Sequence, residues 1–212
     1  MAPTPTEIAR EDLCRFIAAC YYEPTSAFAE ERMFDSMVAA ARQLDPALAA
    51  TAQRLGEAFA AQDLQTLLID YTRLFLGPVN PLAQPYASFW LTGEKTLMQD
   101  TTVALLDLYA EGGFDIDEGF RDLPDHVAAE LEFLYLLNHR LHRSRGDSSD
   151  GAADRARFDG LRQRFVADHL GNWLAAFALA VQQGAETPFY RELGTLTQAI
   201  MAIEVSQSPG AC

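Results

Sequence analysis

The chain has 212 residues, 49% of them hydrophobic and 22% charged, a composition that supports a sizeable buried core and excludes a disordered chain. Its formal net charge is -14 and its pI about 4.5, which argues against nucleic acid as a partner, because phosphate binding needs clustered lysine and arginine. A surface this acidic suits plain solubility or the capture of a basic partner.

Helical periodicity dominates and alternating β patterns are nearly absent, so the expected fold is all-α: one globular domain over 1–212 with about eight or nine helices. Residues 5–22 read as the first helix, with Ile8, Leu13, Phe16, Ile17 and Cys20 as its buried stripe and Pro24 as its stop. Residues 28–44 and 46–61 read as a helical hairpin, with Pro46 at a helix start. Asp63 can cap the next helix, LQTLLIDYTRLF, which ends at Gly77-Pro78. The stretch GPVNPLAQPYASFWLTG (77–93) follows. Pro78, Pro81 and Pro85 bias their neighbours to extended conformations, so it reads as a long stiff connection carrying Tyr86, Phe89 and Trp90. A structured loop of this kind is more often functional than filler. Residues 95–111 form a helix closed by Gly112-Gly113, and Asp122 is the expected N-cap of a helix over 123–143 with Pro124 in its first turn. SRGDSSDGA (144–152) is a flexible linker and a candidate hinge between N-terminal and C-terminal helical parts. Helices over 153–169, 171–183 and 187–204 complete the chain, and the tail SQSPGAC is expected to fray. No internal repeat at a solenoid period is present.

Cys14, Cys20 and Cys212 form no CxxC or CxxH pattern, so a disulfide framework is not expected and a reducing compartment fits. The opening MAPTPTEIAREDLCRF has neither a basic nor an apolar signal region, and the longest apolar run, LAAFALAV (174–181), is far short of a membrane span. The expectation is a cytoplasmic protein with no stable membrane insertion. His139 and His142 share a helix face, as do His126 and Glu130, but neither pair matches HExxH or the inward Glu-x-x-His of di-iron bundles, so no metal site is expected. Basic residues solvated near a helix C-terminus account for His139, Arg140, His142 and Arg143. No GxSxG, GxxxxGK[ST] or GxGxxG occurs. Ser88, Asp125 and His126 could in principle form a hydrolase triad, although adjacent residues rarely point the right way for that relay.

LPDHVAAELEF (123–133) sets Asp125 beside His126 at the mouth of an apolar helix. An acid in the first turn is favoured by the helix dipole, which accounts for Asp125. It does not account for His126, whose charge the same dipole disfavours and whose neutral ring offers one donor and one acceptor. A helix cap and the polar rim of a peptide groove fit these residues equally.

Two stretches, YTRLFLGPVNPLAQPYASFW (71–90) and LPDHVAAELEF, together resemble the TorD/DmsD family of cytoplasmic chaperones dedicated to molybdenum-containing reductases. The pattern is carried by Tyr71, Leu74, Phe75, Gly77, Pro78, Pro85, Tyr86 and Ser88, then by Pro124, Asp125, His126, Glu130 and Leu131. FVADHLGNWLAAFALAV and TPFYRELGTLTQ, with His169, Trp173, Phe177, Phe189 and Tyr190, resemble the family's C-terminal helices. Some members carry Trp where Tyr71 stands, a departure that bears on the groove and its client. The resemblance implies binding rather than catalysis: the twin-arginine signal peptide of a precursor molybdoenzyme is held, and export delayed, until the molybdopterin cofactor is inserted. Some members also contact the mature enzyme. It further implies signal-peptide contacts at Tyr71, Leu74, Phe75, Pro85, Tyr86, Ser88, Trp90, Asp125, His126 and Glu130, no catalytic residues, and no resident cofactor. Weak GTP binding is claimed for some members, but no phosphate loop is present here. Clients across the family include reductases of several oxides and oxyanions, and some dehydrogenases.

A twin-arginine peptide has a basic end and an apolar stretch, so its chaperone needs an apolar groove with acids at one end. Leu74, Phe75, Tyr86 and Trp90 can supply the wall, and Asp125 and Glu130 the charge, with core packing as the second reading of Leu74 and Phe75. Two rivals stand beside this reading: a general helical adaptor, and a hydrolase using Ser88, Asp125 and His126. The 144–152 linker allows either a monomer or a domain-swapped dimer.

Overall fold

The structure is a computed structural model that describes residues 3–77, 81–92, 100–117, 119–144 and 149–206. It is all-α, as expected. Among the described residues run α1 (Pro5–Cys20), α2 (Ala27–Glu30), α3 (Met33–Arg42), α4 (Pro46–Ala60), α5 (Leu64–Tyr71), α6 (Ala87–Leu91), α7 (Asp100–Gly112), α8 (Val127–Arg143), α9 (Ser149–Arg164), α10 (Leu174–Gly184) and α11 (Pro188–Ser206). Two of these, α2 and α6, are single turns that periodicity does not separate from their surroundings.

The caps explain most helix starts. Thr4 and Glu7 form a reciprocal capping box at α1, Asp45 caps α4 ahead of Pro46, and Asp63 accepts from the Thr66 N–H at 2.9 Å. α1 lies against α8 and α3, α4 against α3 and α11, and α10 against α11. The buried stripe of α1 runs through Ala9, Leu13 and Ile17. Ile8, expected on that stripe, is 43% exposed, because the helix turns its Ala9 side to its neighbours.

Several expectations need correction. The single helix expected over 28–44 is broken at Arg32, whose φ of 55° is left-handed; the break turns Phe28 and Phe34 together onto Phe59 of α4. α5 ends as a π turn, Thr72–Leu76, and α9 continues into another, Phe165–His169. The connection after Gly77 contains α6, while Pro78 and Lys95 lie outside the described residues. The N-cap of α8 is neither Asp122 nor Asp125 but His126, whose Nδ1 accepts from the Ala128 N–H at 3.2 Å. The two acids are drawn to other partners, given below. Residues 145–148 of the candidate hinge lie outside the described residues, and α9 starts at Ser149. His139 and His142 are not solvated ends: both rings bond the Glu11 carboxylate of α1, at 2.6 and 3.0 Å.

Local periodicity places charges outside, yet the core holds several. Glu204 of α11 accepts from Arg10 of α1 at 2.8 Å and from Arg162 of α9 at 2.6 Å, and Arg162 also bonds Asn138 of α8 at 3.0 Å. These contacts tie four helices together. α10 and α11 approach through Gly194, where an added Cβ would meet the Ala178 carbonyl oxygen at 2.6 Å. Gly194→Ala is therefore expected to cost roughly 1–3 kcal/mol by overpacking. A urea midpoint equal to that of the parent would show that the two helices can part without loss.

Candidate functional site

The π turn at 72–76 rotates Leu74 and Phe75 into the core. Phe75 packs edge-on against Tyr21, Tyr71 and Tyr190, with ring centroids 5.3–5.9 Å apart, and the Leu74 carbonyl accepts from the Ala83 N–H at 2.9 Å. The bond pins the chain beyond Gly77 back onto the turn. Trp90 of α6 lies half-buried, its indole N–H donating to the Gln84 carbonyl at 2.8 Å.

The two sequence motifs meet. Residues Tyr86 and His126 form an isolated antiparallel bridge, closed by Ala87 N–H to Asp125 O at 2.9 Å and Val127 N–H to Pro85 O at 2.8 Å. The Asp125 carboxylate accepts from the Ser88 N–H at 2.9 Å, which explains why this acid leaves the capping of α8 to His126. The Tyr86 hydroxyl donates to Asp122 at 2.5 Å. Beneath the bridge, the second Asp125 oxygen and the Ser88 hydroxyl are buried without hydrogen-bond partners. Burial pushes the Tyr86 hydroxyl above its ordinary pKa, and the bond to Asp122 reinforces the shift.

His126 is enclosed by aromatic rings. Tyr22 stacks on it at 6.3 Å, while Tyr86 and Phe120 meet it edge-on at 5.6 and 6.3 Å. Burial lowers its pKa to about 4, against the opposing pull of Asp122 and Asp125. The ring is therefore neutral at pH 7, and because Nδ1 accepts, its proton sits on Nε2. Beyond this cage opens a cavity of about 320 Å³, walled by Tyr22, Phe114, Ile116 and Phe120 over Ala129 of α8.

The structure thus divides the ten residues assigned from the family resemblance. Tyr86 and Trp90 are partly accessible. Tyr71, Leu74, Phe75, Pro85, Ser88, Asp125 and His126 lie buried behind them. Glu130 is buried away from the bridge, accepting from the Trp173 indole at 3.0 Å and bonded to His169 at 2.8 Å. Sequence reasoning missed Tyr22, Phe120 and Glu132, and gave Asp122 a capping role. The available signal was FDIDEGF (114–120), an aromatic and acidic run between Gly113 and Pro124. Ser88, His126 and Asp125 form no relay: His126 Nδ1 bonds Ala128, Asp125 bonds the Ser88 backbone, and the Ser88 hydroxyl bonds nothing. No group of three or more metal-ligating side chains is gathered among the described residues, and none of their helices is long and apolar enough to cross a membrane.

The family model for the nitrate reductase delta subunit matches residues 41–179, a span that contains both motifs. Over 164 residues the chain is 34% identical to the chaperone protein TorD of Salmonella arizonae, covering 75% of this chain and 70% of that one. It is 27% identical over 181 residues to the chaperone protein TorD of Shewanella loihica, covering 83% and 78%. These relatives are named as chaperones, not as enzymes. The fold matches the crystal structure of a redox enzyme maturation protein from Archaeoglobus fulgidus with a TM-score of 0.54 over 92% of each chain, at 19% identity. With both motif segments joined at one bridge and relatives of this closeness, the chain belongs to the nitrate reductase delta subunit family, in which the TorD chaperones are its relatives.

Proposed function

We propose that the protein is a dedicated cytoplasmic chaperone that binds the twin-arginine signal peptide of a molybdopterin-containing oxidoreductase precursor and delays its export until the cofactor is inserted. The observation that carries this reading is the Tyr86–His126 bridge, which sets an accessible tyrosine and the exposed Asp122 carboxylate over a neutral histidine. A guanidinium arriving there meets a carboxylate and aromatic faces, the two kinds of partner it binds best, and no competing histidine charge. The net charge of -14 favours encounter with a basic peptide. Tyr86 and Trp90 act as contacts in this reading, while Asp125, Ser88 and His126 hold the bridge that presents them.

Calorimetric titration with twin-arginine signal peptides from the host's molybdoenzyme precursors tests the proposal. One peptide is expected to saturate the protein, and Tyr86→Ala and Asp125→Ala are each expected to weaken it about tenfold or more. A partner bound equally by the parent and both variants would favour a general helical adaptor, and binding of no peptide would overturn the reading.

A further inference from the structure

The cavity beside His126 shares two of its walls, Tyr22 and Phe120, with the aromatic cage of the motif. Its remaining lining is polar in one sense only. Asp115 and Asp117 stand exposed at its mouth, Glu132 reaches in from α8, and no lysine, arginine or histidine lines it among the described residues. The Tyr22 hydroxyl donates to one Glu132 oxygen at 2.9 Å, leaving the other for a further donor. At about 320 Å³ the cavity is near the lower end of ligand pockets, ~300–1,000 Å³, a size for one or two side chains and not for a folded element.

We propose that this cavity is the second half of the recognition site: it takes one apolar side chain of the client peptide, while Glu132, with Asp115 and Asp117, holds the cationic side chain next to it. The inference rests on the reading above that the client is a basic and apolar peptide. Charge complementarity selects this occupant. A second copy of a chain with net charge -14 would bring like charge to an acidic mouth. Burial pushes the Glu132 carboxyl up, against the stabilising Tyr22 hydrogen bond, so an arriving guanidinium meets an anion that lacks solvation.

The test uses fluorescence anisotropy with labelled twin-arginine signal peptides of the host's molybdoenzyme precursors, each beside a copy whose arginines are replaced by citrulline. Glu132→Gln keeps the side-chain volume and an acceptor for Tyr22 but removes the charge. It is expected to weaken the arginine peptide about tenfold and the citrulline peptide little. Ile116→Arg, on a partly exposed loop, sets a competing cation into the cavity and is expected to weaken both peptides about tenfold or more. If both variants bind like the parent while Tyr86→Ala weakens binding, the cavity is no subsite and the chaperone reading stands. If the parent binds none of the peptides, both fall.

Discussion

Replacing Glu130 with alanine is expected to lower the unfolding free energy at pH 7 by about 3–5 kcal/mol, the cost of stripping one partner from a buried charge pair. Glu130 is fully buried, bonded to His169 at 2.8 Å and to the Trp173 indole at 3.0 Å. The indole can only donate, so the oxygen it meets is an acceptor. Burial pushes the Glu130 carboxyl up, against the pull of His169 and Trp173. Burial also opposes charge on His169, but the attraction and hydrogen bond of Glu130 outweigh it and hold that ring above its ordinary pKa. The pair therefore holds a proton that its separated members would lose more readily. Alanine leaves the imidazole and the indole N–H without a partner in a dry core. Glu130→Gln retains an acceptor for Trp173 and an amide N–H for a neutral His169, so it is expected to recover much of the loss. Urea denaturation of the three proteins measures this, and a loss below about 1 kcal/mol for alanine would show that the pair is not a buried charge pair. The glutamine variant also examines the role implied by the family resemblance. Peptide affinity equal to the parent's is expected, because the Glu130 carboxylate is buried against His169 and Trp173.

What the sequence made legible was whatever chain neighbours decide. Asp63, Pro46 and Gly113 mark helix ends by local chemistry, and they hold those places. The register of α1 was legible to within one residue, with Ala9 buried in place of Ile8. The site was legible as two motifs but not as a junction. Ser88 and Asp125 are 37 apart in sequence, and nothing near either reveals that the carboxylate closes on the other's N–H. That one long-range bond displaces Asp125 from the cap and hands the role to His126. Buried charges were illegible for the same reason. His142 read as a solvated helix end, and nothing local marks Glu204 or Arg162 as buried, because only tertiary partners make their burial tolerable. Phe114, Ile116 and Phe120 of the cavity lie on a loop without periodicity, so the aromatic and acidic run FDIDEGF was their one signal.

The largest pH effect is expected from His126. In the folded protein its pKa is lowered to about 4 by burial, against an unfolded value near ~6.5. Between these values the unfolded chain binds a proton that the folded protein does not. Stability contributed by the neutral ring is therefore complete above about pH 6.5 and is lost as pH falls toward 4, by about 3 kcal/mol over the full span at ~1.4 kcal/mol per pH unit. The raised Glu130 and His169 act in the opposite direction, since the folded protein holds their protons more tightly. The comparison that isolates His126 is the difference between the parent and His126→Asn, in which those groups cancel. Asparagine is also a good N-cap and preserves an acceptor for the Ala128 N–H. Urea unfolding of both proteins from pH 7.5 to 4.5 should show the parent's advantage shrinking steadily on acidification, and a constant difference would mean that the ring does not enter the folded state neutral. The same neutrality bears on recognition. A charged imidazole beside Asp122 would offset that carboxylate from within, whereas a neutral one leaves the exposed Asp122 charge to an incoming guanidinium. Signal-peptide affinity should accordingly hold steady between pH 8 and 6, where His126 stays uncharged.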